Sequence, residues 1–559
     1  MKRKSLIYVL VLVLAMSFLA VPAGAKPSGT VNVQILAVND FHGNLEPPAG
    51  SSGRIGTINA GGAEYLATYI NNLRAANPNT VVVSAGDMIG ASPLLSALFH
   101  DEPTIEAFNQ IGLDFNAVGN HEFDEGAAEL MRMSEGGCHP VDGCLDGDDF
   151  AGANFQYLAA NVVRQGNGKT LFPAYKQRSF AGAKIAFIGV TLEGLPTIVT
   201  PSGVAGLDFL DEADTVNALV PRLKEKGIET IVVLLHEGGA QAAPAPYNGC
   251  LGISGAVVDI VNRFDPEVDV VISGHTHNAY NCVINNMLVT SAASFGRIVT
   301  DIDLTIDRAT GEVVSMTANN NIVTRDVPKD GFITALIAKY NAIAAPLANR
   351  VIGSITADIT RFGSAAGESA LGDVIADAQL DATNDPGFGD AVVAFMNPGG
   401  IRTDLVYAQI SGSELPGEVT YGEMFAVQPF GNSMVTLTIT GAQIDTLLEQ
   451  QFVGCGQPAA GQKILQVSSG FTYFWSLSAP ACNKVDPTTI KINGVTVVPS
   501  ASYRVTVNSF LADGGDNFIV LKLGTDRLGG EVDTDALEKY FVAYSPVAPV
   551  PQNRITVVP

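Results

Sequence analysis

Five short polar motifs, each placed directly after an apolar run, constrain this chain more than any other feature. The runs are rich in β-branched residues, which is typical of buried strands. Five of the seven histidines lie in these motifs. The motif residues therefore follow the ends of predicted strands, where loops held by a rigid sheet commonly carry chemistry. The motifs are Asp40-Phe41-His42, Gly86-Asp87, Gly119-Asn120-His121-Glu122, His236 and Gly274-His275-Thr276-His277.

These residue types favour a site for two divalent cations. Paired cations need carboxylate and imidazole ligands, with one carboxylate bridging them, and they lie about 3.5–4 Å apart. Asp87 is the predicted bridge, because Gly86 lets the backbone approach closely. Asp40 and His42 project from one turn and can share one cation. The remaining candidate ligands are Asn120, His236, His275 and His277.

The length of 559 residues predicts at least two domains. Strand and helix signals alternate up to about residue 325, which indicates a layered α/β arrangement. Residues 328–350 form a predicted linker helix with a break near Pro346. A second set of strands follows residue 351, together with a helix over residues 370–383. Earlier helices are expected at residues 63–75, 94–98 with an extension to 111, and 214–226.

The first 25 residues have the three parts of a secretory signal. A basic start, Lys2-Arg3-Lys4, precedes an apolar stretch over residues 5–21 and a small-residue cleavage site, Ala23-Gly24-Ala25. An uncleaved anchor helix is the alternative, although the apolar run is short for one. We expect no later stretch to span a bilayer. The predicted mature protein is soluble and exported, to the periplasm or the medium, as a monomer or a dimer.

Six cysteines in an exported chain indicate disulfides. Sequential pairing would close three local loops, and we predict it for that reason. A metal site at Cys138 and Cys144 with His139 is the alternative for the first pair, but a fourth soft ligand is lacking nearby. The predicted pairs are Cys138–Cys144, Cys250–Cys282 and Cys455–Cys482.

The net charge of −24 disfavours a nucleic-acid polymer or an anionic membrane as partner. It also repels an anionic substrate at long range. Bound cations and arginines must therefore reverse the field at the site.

The segments DFHGN, GDMIG, GNHEFD, HEGG and GHTH resemble the successive motifs of calcineurin-like metallophosphoesterases. Their order and spacing are similar to those of the 5′-nucleotidase family in particular. The resemblance implies an α/β (α+β) fold, with a four-layer α/β/β/α sandwich over residues 26–327. It further implies a linker helix at 328–350, a second α/β domain that binds substrate at 351–559, and two divalent cations, either Mn, Zn, Co or Mg.

The resemblance also implies a role for each motif residue. His121 would face the phosphate, with Asp124 orienting it, and a metal-bound water deprotonated near neutral pH would be the nucleophile. Some members have Gln where this chain has His277, and the imidazole favours transition metals. One cation is assigned to Asp40, His42, Asp87 and His277, and the other to Asp87, Asn120, His236 and His275. His100 and His139 have no motif around them and are assigned surface or structural roles.

The C-terminal part resembles the substrate-binding domain of the same family. Phe430 and Phe510 would enclose a base, and such stacking contributes about 1–3 kcal/mol per base. Arg402, in the loop Asn397-Pro398-Gly399-Gly400-Ile401-Arg402, would clamp phosphate, and Arg361 is a second candidate for that role. A core position is the alternative for each phenylalanine. Hydrogen bonds to ribose or base are assigned to Asn432 and Asp516.

The preferred activity is that of an exported 5′-nucleotidase that acts on small nucleotides. A 2′,3′-cyclic-nucleotide phosphodiesterase with 3′-nucleotidase activity, or a UDP-sugar hydrolase, would use the same metal motifs. A sulfur-oxidation hydrolase is a more remote relative, and the paired phenylalanines argue against it because a small sulfur substrate needs no base platform. The alternative that is not an enzyme is a non-catalytic surface binding protein.

Overall fold

The computed structural model describes residues 28–48, 50–199, 201–387, 389–458 and 461–559. The predicted signal, residues 1–25, lies outside them. Two six-stranded sheets form the N-terminal half. In spatial order, the first consists of Val313–Ile322, Ile298–Asp307, Thr30–Val38, Thr80–Ser84, Phe115–Ala117 and Gln156–Leu158. The second consists of Ala279–Ile284, Met287–Ala292, Val270–Ser273, Thr230–His236, Ala183–Thr191 and Tyr175–Phe180.

The two sheets pack face to face, and helices cover their outer faces. Strand Thr30–Val38 shows why, because successive side chains of a strand point to opposite faces. Val33 and Ile35 join the core between the sheets, whereas Leu36 and Val38 pack under the helices. The predicted four-layer α/β/β/α sandwich is confirmed. The helices are Ala63–Ala76, Glu102–Ile111 and Ala127–Glu135 on one side, and Glu212–Glu225 and Ala256–Arg263 on the other.

The helical stretch predicted from residue 94 to residue 111 is divided into two helices. Leu94–Ala97 ends before His100 and Asp101, and Glu102–Ile111 begins after them. Both intervening residues have left-handed backbone, with φ of 52° and 62°, which an α-helix of L-residues does not tolerate. The helices at Ala63–Ala76 and Glu212–Glu225 begin and end within two residues of their predicted bounds.

The helix between the two halves spans Gly331–Ala348. It begins where the Asp330 carboxylate accepts the backbone N–H groups of Phe332 and Ile333. The predicted break near Pro346 is wrong, because the helix continues to Ala348. A proline in the last turn removes one backbone hydrogen bond, and few residues follow it. The buried residues of this helix are Ile333, Ile337, Tyr340 and Ala344.

Among the described residues, this helix alone has the length and apolarity of a bilayer span, which the sequence analysis did not foresee. Core helices of water-soluble proteins can have the same length and apolarity. Its polar side chains have partners in the folded protein. Lys339 forms an ion pair with Asp146, and the Tyr340 hydroxyl donates to Glu106.

The C-terminal half contains a second α/β unit, as expected. Its five-stranded sheet runs in the order Gln466–Val467, Val393–Met396, Ser502–Asn508, Ser433–Thr440 and Thr525–Val532. A four-stranded sheet follows the order Val495–Thr496, Lys491–Ile492, Phe471–Ser476 and Ile555–Val558. The helices are Ala370–Asp381, Tyr421–Val427, Gly441–Glu449, Ser509–Ala512 and Asp533–Tyr544. Short two-stranded sheets pair Arg54–Ile55 with Ile58–Asn59, Val162–Arg164 with Leu207–Phe209, and Val351–Ser354 with Glu418–Thr420.

All six cysteines form disulfides in the predicted sequential pattern. The metal alternative for Cys138 and Cys144 is therefore wrong, because the two sulfur atoms are bonded to each other. Three disulfides in one chain are typical of an oxidising compartment.

Candidate dimetal active site

Five of the predicted metal ligands have left-handed backbone, with φ between 48° and 68°. Such a conformation is uncommon outside glycine, costs of order 1–3 kcal/mol, and clusters at functional sites. The five residues belong to three of the five motifs, each of which follows the end of a strand. The five are Asp40, His42, Asp87, His275 and His277.

Glycines beside the ligands allow the motif loops to pack against one another. A Cβ atom on Gly86 would lie 2.6 Å from Nδ1 of His236, and one on Gly119 would overlap the carboxylate of Asp87. Any larger residue at these two positions would push a predicted ligand out of place. The glycines of the motifs therefore set the spacing of the site.

One group of donors consists of Asp87, Asn120, His236 and His275. Nε2 of His236 lies 3.0 Å from Oδ2 of Asp87 and 3.1 Å from Oδ1 of Asn120. Nδ1 of His275 lies 2.9 Å from the same Asn120 oxygen. Neighbouring ligands around a cation with bonds of about 2.1 Å are roughly 3 Å apart. The spacing fits a single divalent cation.

The second group consists of Asp40, His42, Asp87 and His277. The Nε2 atoms of His42 and His277 are 3.0 Å apart. Nε2 of His277 is 3.6 Å from Oδ1 of Asp40, and Nε2 of His42 is 3.8 Å from Oδ2 of Asp87. Asp87 belongs to both groups, so its carboxylate lies where a bridging ligand is required. The donors present fit two cations.

Backbone carbonyls orient the imidazoles of this site. Nδ1 of His42 pairs with the carbonyl of Gly90 at 2.9 Å, and Nδ1 of His236 pairs with the carbonyl of Ala85 at 2.7 Å. Each ring therefore presents Nε2 to the centre of the site. Hydrogen bonds of this kind select the tautomer of a metal ligand and hold its ring in place.

Glu122, which the sequence analysis quoted within a motif but gave no role, organises the loops beneath the site. Its buried carboxylate accepts the backbone N–H groups of Asp87 at 2.9 Å, Met88 at 2.9 Å and Gly119 at 2.6 Å. Burial and the nearby charge of Asp87 raise the pKa of Glu122 to about 7. A glutamate inside a buried, glycine-containing motif was the signal that could have identified this role.

Three imidazoles of the site are neutral at neutral pH. Burial lowers the pKa of His275 to about 3, and it lowers the pKa of both His42 and His277 below the ordinary value. A metal ligand must be unprotonated, so these side chains are ready to bind a cation without first releasing a proton.

The carboxylates of the site attract positive charge. Burial raises the pKa of Asp40 to about 7. Burial opposes protonation of His236, but Asp87 and then Asp40 outweigh it and raise the pKa of this imidazole to about 10. Burial likewise opposes ionisation of Asp87, but His236 and His121 hold its pKa well below the ordinary value. The site thus favours an ionised bridge and a nearby cation.

His121 and Asp124 form a hydrogen-bonded pair beside the donor groups. Nδ1 of His121 lies 2.8 Å from Oδ2 of Asp124. Burial alone would lower the pKa of His121, but the Asp124 carboxylate outweighs it and raises this pKa. The ring of His121 meets the ring of His42 edge to face, with 4.9 Å between centroids. The pair is therefore placed to act on a group bound at the donor cluster.

A cleft of about 350 Å³ separates this cluster from the C-terminal half, a volume in the range of small-molecule sites. One wall contains Asn120, His121, Asp124 and His275. Six of the seven predicted substrate-binding residues line the other wall: Asn397, Arg402, Phe430, Asn432, Phe510 and Asp516.

Arg361, the seventh, lies behind Arg402 and does not line the cleft. Its backbone N–H donates to Asp404 at 2.9 Å, and its guanidinium donates to the carbonyl of Ile401 at 3.4 Å. Burial, and then the charge of Arg361, lower the pKa of Arg402. The two guanidiniums are thus near enough to reinforce one positive region beside the cleft.

Phe430 connects the two walls of the cleft. Its ring stacks on His121 with 5.8 Å between centroids, and the guanidinium of Arg402 lies 5.7 Å above the same ring. Phe510 packs against Gly515, where a Cβ atom would meet the ring at 2.5 Å. In the described part of the chain, the two phenylalanine rings make no ring contact with each other. Both rings line the same cleft.

Asp516 is the centre of a polar network at the far end of the cleft. Its Oδ2 accepts from Nδ2 of Asn397 at 2.9 Å, and its Oδ1 is paired with Lys463. Nδ2 of Asn508 donates to Oδ1 of Asn397 at 2.9 Å. The sequence analysis missed Lys463 and Asn508, because neither stands in a motif that it had identified.

Two family models match the sequence. The model described as calcineurin-like phosphoesterase matches residues 33–279. The model described as 5′-nucleotidase, C-terminal domain, matches residues 351–523. The first interval contains every predicted metal ligand, and the second contains all seven predicted substrate-binding residues.

Individual proteins are also similar to this chain over most of its length. Endonuclease YhcR of Bacillus subtilis is 33% identical over 538 residues, which are 95% of this chain but only 41% of that protein. Cell wall protein Lmo0130 of Listeria monocytogenes is 31% identical over 92% of this chain and 67% of its own length. The crystal structure of a 5′-nucleotidase precursor from Thermus thermophilus superimposes with a TM-score of 0.76 at 27% identity, covering 94% of this chain and 99% of that one.

Proposed function

Since this chain belongs to the 5′-nucleotidase family of metal-dependent phosphoesterases, we propose that it hydrolyses nucleoside 5′-phosphates to nucleoside and phosphate. One observation carries the proposal. One wall of a single cleft contains two of the candidate cation ligands, Asn120 and His275, with His121 beside them, and the other wall contains aromatic, amide and carboxylate side chains. The first wall suits a phosphate, and the second suits a nucleoside.

We assign two divalent cations, of Mn, Zn, Co or Mg, to the two donor groups that share Asp87. When bound, such cations supply the Lewis acidity that lowers the pKa of water and neutralises charge on a phosphoryl group. The neutral imidazoles of His42, His275 and His277 suit that task because they need not release a proton at neutral pH, whereas a cation must displace protons from Asp40 and His236, whose pKa values are raised to about 7 and about 10.

His121 is the proposed proton donor. Its Nδ1 is held by Asp124, which leaves Nε2 to face the phosphate or the 5′-oxygen of the leaving nucleoside. The raised pKa of His121 keeps the ring protonated over a wider pH range. Arg402 lies across the cleft from this ring and can donate hydrogen bonds to phosphate oxygens. Asn120 contributes its amide oxygen from the same loop.

The nucleoside would bind between Phe430 and Phe510. Stacking on aromatic faces is tolerant of base identity, because every base has a π-face. Asn432, Asp516 and Asn397 offer donors and acceptors for ribose or base hydroxyl and amino groups. Arg361 would reinforce the positive field behind Arg402.

We further propose that the chain is exported by its first 25 residues, since its disulfides suit an oxidising compartment. The metal-bearing domain would then span residues 26–327, the linker helix 328–350 and the substrate domain 351–559. Periplasm and external medium are both compatible with this proposal, as are a monomer and a dimer.

A phosphodiester of a nucleotide is the second candidate substrate. One relative is named an endonuclease, and Lys463 places a cation at the nucleoside end of the cleft, where a second phosphate would lie. A 2′,3′-cyclic-nucleotide phosphodiesterase with 3′-nucleotidase activity is the related alternative on the same scaffold. Hydrolysis of a UDP-sugar would use the same two walls.

The test is product analysis with AMP, 2′,3′-cyclic AMP, 3′-AMP and UDP-glucose, in the presence of Mn²⁺ and again with EDTA. Asp87→Ala is the blank. Metal-dependent hydrolysis that is fastest on AMP supports the proposal. Faster hydrolysis of the cyclic, 3′ or UDP-sugar substrate would replace the proposed activity by that sibling. No turnover of any of them would overturn it in favour of a binding role.

A further inference from the structure

Two histidines that the active site does not use meet at the outer part of the cleft. Nδ1 of His100 lies 2.9 Å from Glu125, and its Nε2 lies 3.0 Å from Asp142. Nδ1 of His139 is 3.3 Å from the same Asp142 carboxylate. These residues come from separate segments, so the fold brings them together. They are called the outer cluster below.

The outer cluster has the features of a built site. The two imidazole rings stack with 3.7 Å between centroids, and their side chains are only 16% and 15% exposed. The carboxylates of Glu125 and Asp142 are 46% and 47% exposed and lie at the open side. One potential ligand atom from each of His100, Glu125 and His139 lies within 4.8 Å of the other two.

The two carboxylates of the outer cluster outnumber the positive charge that a protonated His100 supplies. The carboxylates, first among them Glu125, raise the pKa of His100 and favour its charged form. The ring of His139 stacks on that of His100, and its Nδ1 accepts the backbone N–H of Asp142 at 3.2 Å. A single dication would instead balance both carboxylates and leave both imidazoles neutral. Zinc and related ions prefer this mixture of imidazole and carboxylate.

We propose that the outer cluster is a further metal site that binds one divalent transition-metal cation such as Zn²⁺. His100, His139 and Glu125 are its ligands, and Asp142 either completes the set or orients the imidazoles. A small rotation of the stacked rings would direct both nitrogen atoms at the cation. The site is independent of the proposed substrate, because none of its residues is assigned to substrate or to the two central cations.

The position of the outer cluster gives the cation a structural task. His139 and Asp142 lie within the loop closed by Cys138 and Cys144. Glu125 follows Asp124, and His100 precedes Asp101, whose carboxylate accepts the backbone N–H of Gly90 at 2.9 Å. A bound cation would therefore fasten the disulfide loop to the rim of the cleft.

The test compares the zinc content of the intact protein and its variants after equilibration with Zn²⁺ and gel filtration, measured by mass spectrometry. His139→Gln and Glu125→Gln are each expected to bind one zinc fewer than the unmodified protein. Asp148→Asn, in the same acidic segment but outside the outer cluster, is the matched control and should bind the full number. Far-UV circular dichroism establishes that each variant is folded.

A second measurement separates this site from the active site. Asp87→Asn should lose zinc from the central donors and still lose one more when His139→Gln is added. Zinc should also protect the segment between Cys138 and Cys144 from proteolysis, and His139→Gln should abolish that protection. Equal zinc content in the unmodified protein and both outer-cluster variants would overturn the proposal. So would an equal loss in Asp148→Asn, which would indicate adventitious binding to surface acids only.

Discussion

The two walls of the cleft differ in how ready they are for a ligand. On the N-terminal wall, backbone carbonyls, glycines and the Glu122 carboxylate hold the predicted metal ligands in place. On the C-terminal wall, the predicted nucleoside contacts are occupied by one another: Asp516 pairs with Lys463, and Phe430 stacks on His121. The proposed catalytic side is thus held by the fold, whereas the proposed recognition side would have to exchange contacts to receive a nucleoside.

The difference has a structural origin. The metal ligands follow strands of two packed sheets, whose positions are set by a large buried core. The proposed recognition residues lie in the turn at 429–432, in the short helix Ser509–Ala512 and in the 3-10 turn Gly515–Asn517. A loop can change its side-chain partners at low energetic cost, and a substrate that displaces Phe430 from His121 gains access to both. The following substitutions test this contrast.

Asp87→Asn should have the largest effect. It removes the charge that both donor groups share, so kcat/KM for AMP should fall by about 10³-fold or more, since metal-based charge stabilisation is worth several kcal/mol. The measurement is the initial rate together with the metal content of the purified protein. Asp208→Asn is the control for removal of a carboxylate from the same half. Near-normal activity in Asp87→Asn would show that this wall is not the catalytic one.

Asp124→Asn should lower kcat by about 10- to 100-fold and change its pH dependence. Asp124 raises the pKa of His121, so the protonated ring persists to higher pH in the unmodified protein. Without the carboxylate this pKa falls, and the alkaline limb of the kcat profile should move to lower pH. A profile that keeps its alkaline limb in place would exclude His121 as the proton donor.

Phe430→Ala should raise KM for AMP about tenfold, because stacking contributes about 1–3 kcal/mol per base. The effect should vanish with p-nitrophenyl phosphate, which has no nucleobase. Phe430→Tyr keeps the aromatic face and is the matched control. An equal loss with both substrates would assign this ring to the support of His121 and not to the base.

Lys463→Met should have the smallest effect on AMP hydrolysis. It should lower kcat/KM for AMP by no more than about fivefold, since a partly exposed ion pair contributes about 0–1 kcal/mol. Loss of the cation should matter more for a substrate with a second phosphate. The ratio of kcat/KM values for AMP and for the dinucleotide pApA, which has a second phosphate, is therefore the quantity to measure. An unchanged ratio would remove the support that Lys463 gives to phosphodiester hydrolysis.

The predicted metal ligands lie close together for a physical reason that the sequence contains. Each ligand directly follows a run such as TVVVSAG before Asp87, and parallel strands bring such ends to one edge of a sheet. The layered α/β arrangement and the sequential disulfides also came from local patterns, whereas the four-layer sandwich was implied by the resemblance to metallophosphoesterases. Alternation of apolar residues specifies which face of a strand is buried, and short loops between cysteines favour their pairing.

Other parts depended on contacts between distant residues. Glu122 is recognisable as an organiser only when its carboxylate is seen to accept three backbone N–H groups. Lys463 is identified only by its pairing with Asp516, 53 residues later. The meeting of His100 with His139 requires the turn between two helices and the disulfide loop to be placed together. None of these follows from periodicity, because each is a property of tertiary packing.

The left-handed backbone of five metal ligands also bears on how the protein can evolve. At these positions glycine is conformationally easier than the residue present, since it populates positive φ without a Cβ clash. Replacing a ligand by glycine should therefore disturb the fold less than replacing it by alanine. A lineage released from selection for catalysis would find glycine at these sites among the changes it tolerates best. The aspartate and histidine at these five positions therefore have a conformational cost that glycine would not have.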